Sequence, residues 1–221
     1  DFDFASVGPN PARKPANFSK YYIGREFKGP VTIDKEWGYA QVSSNEKVHF
    51  HHWESPFDGK DFSVSDARAY PVPDFADPAR YEGIRAQNEA HKAKGYATMF
   101  VHGFSTFDLG WLIRGFEPFL MDLAAEEEAA QILMDRVSDA LAASLKNMAA
   151  QGTDIVGVGE DVGTQKALFM SPATWRAQIK PRFRKIVAAA KSGNPNVLFF
   201  YHSCGKIVEI IPDLIEIGVD I

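Results

Sequence analysis

His202 and Cys204 form the pair of residues with the clearest chemical potential, directly after a short apolar run near the end of the chain. Residues i and i+2 of an extended segment point to the same side, so an imidazole and a thiol are presented together. Both groups are good zinc ligands, and the pair also suits a cysteine nucleophile with a histidine base. A packed cysteine beside a hydrogen-bonded histidine is an alternative interpretation. Because two ligands do not make a zinc site, the metal interpretation requires a third from Glu160, Asp161 or a residue after Ile221.

Glu160 and Asp161 are adjacent carboxylates that follow another apolar run, Asp154 to Gly159. At the end of a strand, one of them is placed to bind substrate or to act as a general acid or base. The structural alternative is that Asp161 caps the turn that follows. We expect the functional role more for Asp161 than for Glu160.

A third polar residue, His102, ends the apolar segment 96–101. Histidine, carboxylate and cysteine therefore follow three separate predicted strands. In parallel α/β folds the site forms at the carboxyl ends of the strands, so we expect these side chains to share one rim. Arg114 is a candidate for binding a substrate carboxylate, although a surface role is an equal alternative. Two groups are interpreted mainly as packing or surface residues, with a metal site and a site for a flat aromatic ligand as the respective alternatives. They are the histidines His49, His51 and His52, and the aromatic cluster of Trp111, Phe116 and Phe119 with the neighbouring Met121.

The elements that must position these residues alternate along the second part of the chain. Helical periodicity or start signals mark four stretches: residues 78–95, the stretch up to 152, residues 171–190 and residues 207–218. Apolar strands separate them at 96–101, 154–159 and 196–201, and residues 219–221 begin a fourth. Helices between strands imply parallel pairing, in a TIM barrel or a doubly wound sheet. Pro181 is expected to kink its helix.

Residues 1–77 have a different character. Residues 1–30 are rich in Pro, Gly, Asn and Lys and are predicted to be irregular, and four prolines mark residues 55–78 as a loop. Between them, residues 31–33 and 37–42, a turn at 43–46 and then residues 48–53 predict a strand pair. We therefore expect an N-terminal segment of residues 1–77 and βα units from 78 to 221. Because the chain stops at the start of a strand, we expect an incomplete barrel.

Composition restricts the class of protein. The 221 residues are 45% hydrophobic and 24% charged, as in ordinary globular domains. No apolar run approaches the ~20 residues of a membrane span, and the first residues do not form a signal peptide. The net charge of −5 argues against nucleic-acid binding, and a single cysteine favours a cytoplasmic protein. These features predict a protein that acts on a small molecule, without nucleic-acid or membrane partners.

Several motifs together resemble the uroporphyrinogen decarboxylase superfamily. They are R-G-F-E-P-F-L-M-D-L from Arg114, E-D-V-G-T-Q from Glu160, Ser171-Pro172, Y-H-S-C-G from Tyr201 with I-I-P-D-L-I-E-I-G-V-D-I after it, and D-K-E-W-G from Asp34. The resemblance covers about residue 95 to the end and implies a TIM barrel. One branch of the superfamily decarboxylates uroporphyrinogen without a cofactor. The other branch consists of zinc-dependent methyltransferases that use a corrinoid.

The resemblance is closer to the methyltransferase branch. That branch has H-x-C plus a later cysteine as zinc ligands, and His202 and Cys204 match the first two. The R-Q-A-G-R segment of the decarboxylases is absent. The implied function is transfer of a methyl group between a corrinoid, carried by a corrinoid protein, and a thiol or tetrahydrofolate. Asp161 would orient or deprotonate the acceptor, and Gln165 would help to bind a folate.

Two other functions stay open. The first is a decarboxylase acting on a porphyrinogen or related acid. The second is a corrinoid-binding module without catalysis. A homodimer is also compatible with the sequence.

Overall fold

A computed structural model describes residues 3–43 and 52–221 of the chain. Its strands, numbered along the chain, are β1 (Phe4–Ser6), β2 (Val31–Ile33), β3 (Ala40–Val42), β4 (His52–Glu54), β5 (Ala97–His102), β6 (Ile155–Gly159) and β7 (Leu198–His202). The α-helices are α1 (Val64–Ala69), α2 (Ile84–Lys92), α3 (Thr106–Arg114), α4 (Phe116–Ala124), α5 (Glu128–Ala150), α6 (Pro172–Thr174), α7 (Lys180–Gly193) and α8 (Ile211–Glu216). None of the helices in these residues is long and apolar enough to cross a membrane.

The main sheet is parallel, as the alternation of strands and helices predicted. Its order is β1-β5-β6-β7, with α3 to α5 between β5 and β6 and with α6 and α7 between β6 and β7. The strands are added in chain order without a reversal, as in one part of a TIM barrel. The described strands of this sheet number four, and the sheet they form is open. The fold is therefore mixed α/β with a parallel sheet like that of a partial barrel.

The first strand, β1, corrects the prediction that residues 1–30 are irregular. It pairs in parallel with β5, in the register Phe4 to Ala97 and Ser6 to Met99. Three residues are too few to produce a periodic pattern, so only the pairing with β5 reveals this strand. The N-terminal segment therefore contributes to the same sheet as the βα units.

The predicted antiparallel strands form a second sheet in the order β2-β3-β4. Ile33 pairs with Ala40 and Val42 pairs with His52. Most of the predicted turn, together with His49 and His51, lies outside the described residues. The described part of the third predicted strand is β4, His52–Glu54, and its predicted start at Val48 lies outside the described residues.

The predicted helical stretches are divided in the structure. The stretch up to 152 forms α3, α4 and α5, and residues 207–218 form a 3₁₀ turn, Val208–Ile210, followed by α8. The helix predicted from Pro78 is divided into a 3₁₀ turn, Pro78–Tyr81, and α2, because Gly83 between them has a φ of 80°. The kink expected at Pro181 takes the form of a π-helical turn, Trp175–Ile179, just before α7. Proline has no N–H to donate, and a π turn accommodates that loss.

Residues 219–221 are not a strand in the structure, although they were predicted to begin one. They nevertheless run beside β7: the amides of Asp220 and Ile221 donate to the Phe199 carbonyl, and the Tyr201 amide donates to the Ile221 carbonyl. The core lies between the sheet and α5 and α7, where Leu141, Phe183 and Phe199 are fully buried. This core fixes β6 and β7, whose carboxyl ends carry the predicted site.

Candidate metal centre

The predicted site residues His202, Cys204 and Asp161 lie together at the carboxyl ends of β6 and β7. The parallel register pairs Gly159 with His202, so the residues that follow both strands begin at the same level. All three side chains are exposed, and their donor atoms lie within 4.8 Å of one another. His202 also lines a cleft of about 430 Å³ together with Gly103 and Gly159.

The donor atoms have spacings that suit a small cation. The Cys204 Sγ atom lies 3.5 Å from His202 Nε2, and His202 Nε2 lies 3.9 Å from Asp161 Oδ1. Bond lengths of about 2.0–2.3 Å at tetrahedral angles place two zinc ligands about 3.5 Å apart. The distance between the imidazole and the thiol matches this spacing. The distance between the imidazole and the Asp161 carboxylate exceeds it by about half an ångström. The residues present therefore fit a zinc ion.

The charge of Asp161 also favours a cation here. Chiefly because of that carboxylate, the pKa of the Cys204 thiol is raised above its ordinary value. A cysteine nucleophile needs the opposite shift, towards the thiolate. The geometry and the charge together favour metal binding by His202 and Cys204 over the nucleophile alternative.

Two loops hold Cys204 in place. The Cys204 amide donates to Asp161 Oδ1 at 2.7 Å. Gly205 has a φ of 84°, and a Cβ atom there would lie 2.3 Å from the Gly163 carbonyl oxygen. The Lys206 amide donates to the Thr164 carbonyl at 2.7 Å. The loop after β7 is thus clamped against the loop after β6.

The structure separates the adjacent carboxylates Glu160 and Asp161. Whereas Asp161 is exposed, Glu160 is fully buried and accepts a hydrogen bond from the Phe107 amide at 2.8 Å. Burial, and then the charge of Asp108, raise the pKa of Glu160 to about 8. Its carboxyl group contacts the start of α3 and does not face the donor cluster.

Asp108, in the first turn of α3, is a buried carboxylate that sequence reasoning missed. Its Oδ2 accepts from the Asp161 amide at 3.0 Å, and its Oδ1 accepts from the Trp111 indole at 3.1 Å. Burial raises its pKa to about 7. An acidic residue soon after the carboxyl end of β5 was the available signal, but an acidic first turn is also ordinary helix chemistry.

His102 does not join the cluster. The register places it beside Val158, which pairs with Tyr201, whereas His202 pairs with Gly159. Successive strand residues face opposite sides of a sheet, so His102 faces the helices and its Nε2 lies 2.9 Å from Ser144 Oγ of α5. The expectation that His102 shares the rim with His202 is therefore wrong.

The other residues identified from the sequence are not among the three donor residues. Arg114 forms an ion pair with Asp122 at 2.8 Å, and its binding of a substrate carboxylate stays a prediction. Gln165 is exposed in the turn closed by the bridge between Gly163 and Leu168. His52 contacts Glu54 Oε1 at 3.0 Å. Of the aromatic cluster, Phe119 is buried against Gly110, while Trp111 packs edge-on against the half-exposed Phe116 at 5.6 Å.

Comparisons with known proteins agree with the motifs. The profile of the family described as uroporphyrinogen decarboxylase (URO-D) matches residues 47–221. A methyltransferase from Methanosarcina mazei has a similar fold, with a TM-score of 0.54 at 15% sequence identity. That similarity covers 87% of this chain and 51% of the other, so this chain spans about half the length of that structure. A search of the curated proteins finds no match. With most of its length matched, the chain belongs to the uroporphyrinogen decarboxylase family.

Proposed function

We propose that the chain is part of a zinc-dependent methyltransferase that moves a methyl group between a corrinoid and a thiol or tetrahydrofolate. The observation that carries the proposal is the grouping of His202, Cys204 and Asp161 at the carboxyl edge of the sheet. A soft thiolate and an imidazole are typical zinc ligands, and an open rim leaves room for a substrate at the metal. Closure of the sheet into a full barrel belongs to the same proposal.

Each side chain has a role in this function. His202 Nε2 and Cys204 Sγ would hold the metal. The Asp161 carboxylate lies in the same donor cluster. There it completes the donor set, or it orients the methyl acceptor and takes up the acceptor's proton. Bound zinc would lower the pKa of a thiol acceptor so that it reacts as an anion. The corrinoid carrier docks at the rim, and Gln165 lies exposed on the neighbouring loop for contact with a folate acceptor.

Metal content tests the proposal. We expect about one zinc per chain by elemental analysis of protein purified without chelator under reducing conditions, and its loss in His202→Ala and in Cys204→Ala. His52→Ala, which changes a histidine on the second sheet, should keep the metal. Absence of zinc from the wild-type protein would overturn the metal mechanism.

A second assay separates the two branches of the family. A methyltransferase should demethylate methylcobalamin with a thiol or tetrahydrofolate, and the Cys204→Ala variant should lose that activity. Loss of carbon dioxide from a porphyrinogen, undiminished by chelators and by Cys204→Ala, would instead identify a decarboxylase.

A further inference from the structure

Asp108 lies beside the end of β6, where the hydrogen bonding of the sheet stops and the loop that carries Asp161 begins. The last ladder bond in this direction runs from the Glu160 amide to the His202 carbonyl at 2.8 Å. Amides of successive strand residues point to opposite neighbours, so the next amide, that of Asp161, points away from β7 towards the side of β5. There β5 has already ended, and the Asp108 carboxylate of α3 accepts the hydrogen bond.

A continuous set of contacts runs from α3 into the cluster. Trp111 donates to Asp108, Asp108 accepts from the Asp161 amide, and Asp161 accepts from the Cys204 amide. Asp108 is 3% exposed, so its carboxylate is held almost entirely within the protein. Each carboxylate oxygen of Asp108 accepts one of the two hydrogen bonds, and together they fix the plane of the carboxylate.

We propose that Asp108 is a positioning residue of the metal centre. Trp111 orients the Asp108 carboxylate, and this carboxylate holds the backbone of Asp161. Asp108 thereby sets the spacing of Asp161, Cys204 and His202. This inference rests on the proposed function. Residues that orient metal ligands in this way change affinity about 10- to 100-fold when they are mutated.

The substitution Asp108→Asn tests the role of the two hydrogen bonds. An amide has one acceptor oxygen, but two donors, from Asp161 and Trp111, face this side chain. One donor must therefore meet an NH₂ group. We expect zinc affinity, measured by competition with a chromophoric chelator, to fall about 10- to 100-fold. The visible spectrum of the cobalt-substituted protein should change as well, because it reports ligand geometry.

The double variant Asp108→Asn with Trp111→Phe separates positioning from charge. Without the indole donor, the asparagine is free to turn its oxygen to the Asp161 amide. Affinity and the cobalt spectrum should therefore recover towards those of Trp111→Phe alone, although the negative charge is still absent. The control is Asp122→Asn, which removes a carboxylate that pairs with Arg114 outside these contacts, and it should leave zinc affinity unchanged.

Three outcomes would overturn the inference. The first is wild-type affinity in Asp108→Asn with an unchanged melting temperature of the metal-free protein, the second is wild-type affinity with a lower melting temperature, which indicates a merely structural role, and the third is no recovery in the double variant. If Asp108→Asn does not fold, Trp111→Phe alone must still weaken zinc binding, because it frees one carboxylate oxygen. Failure of the wild-type protein to bind zinc is a different result, since it removes the proposed function and not the contacts of Asp108.

Discussion

At the scale of single residues, the position of His102 illustrates how one step along a strand changes a side chain's role. Its ring is enclosed by Phe75, Phe100 and Ser144. Burial, with the charge of Arg80, lowers the pKa of His102 from 6.5 to about 3. The imidazole therefore stays neutral in the folded protein while the unfolded chain binds a proton below pH 6.5.

This burial predicts how stability depends on pH. Between pH 6.5 and 3 the unfolded chain binds more protons at this site, so the free energy of unfolding falls as the pH falls, by up to ~1.4 kcal/mol per pH unit. His102→Gln should reduce that slope in urea unfolding at pH 7 and pH 5. Ser144→Ala is the control: it removes the partner but keeps the imidazole, and should lower stability at both pH values with the slope retained. An unchanged slope in His102→Gln would contradict the prediction.

At the scale of elements, the site depends on how two loops approach each other. Gly205 has a left-handed φ, and a Cβ atom added there would collide with the Gly163 carbonyl. We expect Gly205→Ala to separate the loops after β6 and β7, to lower the melting temperature and to weaken zinc binding, because Cys204 precedes this residue directly. Gly24 has a similar φ of 76°, and a Cβ atom added there would have nothing within 4 Å.

Gly24→Ala is therefore the matched control for the backbone conformation. It should cost about 1–2 kcal/mol of stability from the left-handed φ alone and leave metal affinity unchanged. Thermal unfolding and chelator competition on both variants check the difference. Equal affinity in the two variants would show that the close approach of the loops does not position Cys204.

At the scale of the whole molecule, a buried ion pair connects the turn between β2 and β3 to the helical layer. Arg80 is 3% exposed, and its two terminal nitrogens bind the two oxygens of Glu36 at 2.8 and 3.0 Å. The guanidinium also stacks on Phe75, with 4.4 Å between its central carbon and the ring centre. The Tyr70 hydroxyl donates to the Trp37 carbonyl beside this pair. These contacts fix the small sheet to the segment from Tyr70 to Arg80.

Removing one partner should therefore cost much more than removing both. Glu36→Ala leaves the Arg80 charge buried and unpaired, and we expect a loss of about 3 kcal/mol in the free energy of unfolding. Glu36→Ala combined with Arg80→Met should recover part of it. Urea unfolding of the two variants measures this, and a double variant less stable than Glu36→Ala would contradict the prediction.

The sequence by itself determined the features that depend on neighbours along the chain. Alternating apolar strands and periodic helices gave the parallel α/β arrangement, and the i, i+2 spacing placed His202 and Cys204 on one side of the chain. The motifs from Arg114 to the last residue pointed to the family. Such patterns repeat within a few residues, so they are visible without knowing how the chain packs.

Only the tertiary structure decided the features that depend on packing between distant segments. It placed Asp108 against Asp161 across 53 residues of chain, added β1 to the sheet and turned His102 away from the rim. It also buried Glu160 while leaving its neighbour Asp161 exposed. Strand register and helix position set these outcomes, and a shift of one residue moves a side chain to the opposite face. No local pattern in the sequence carries that information.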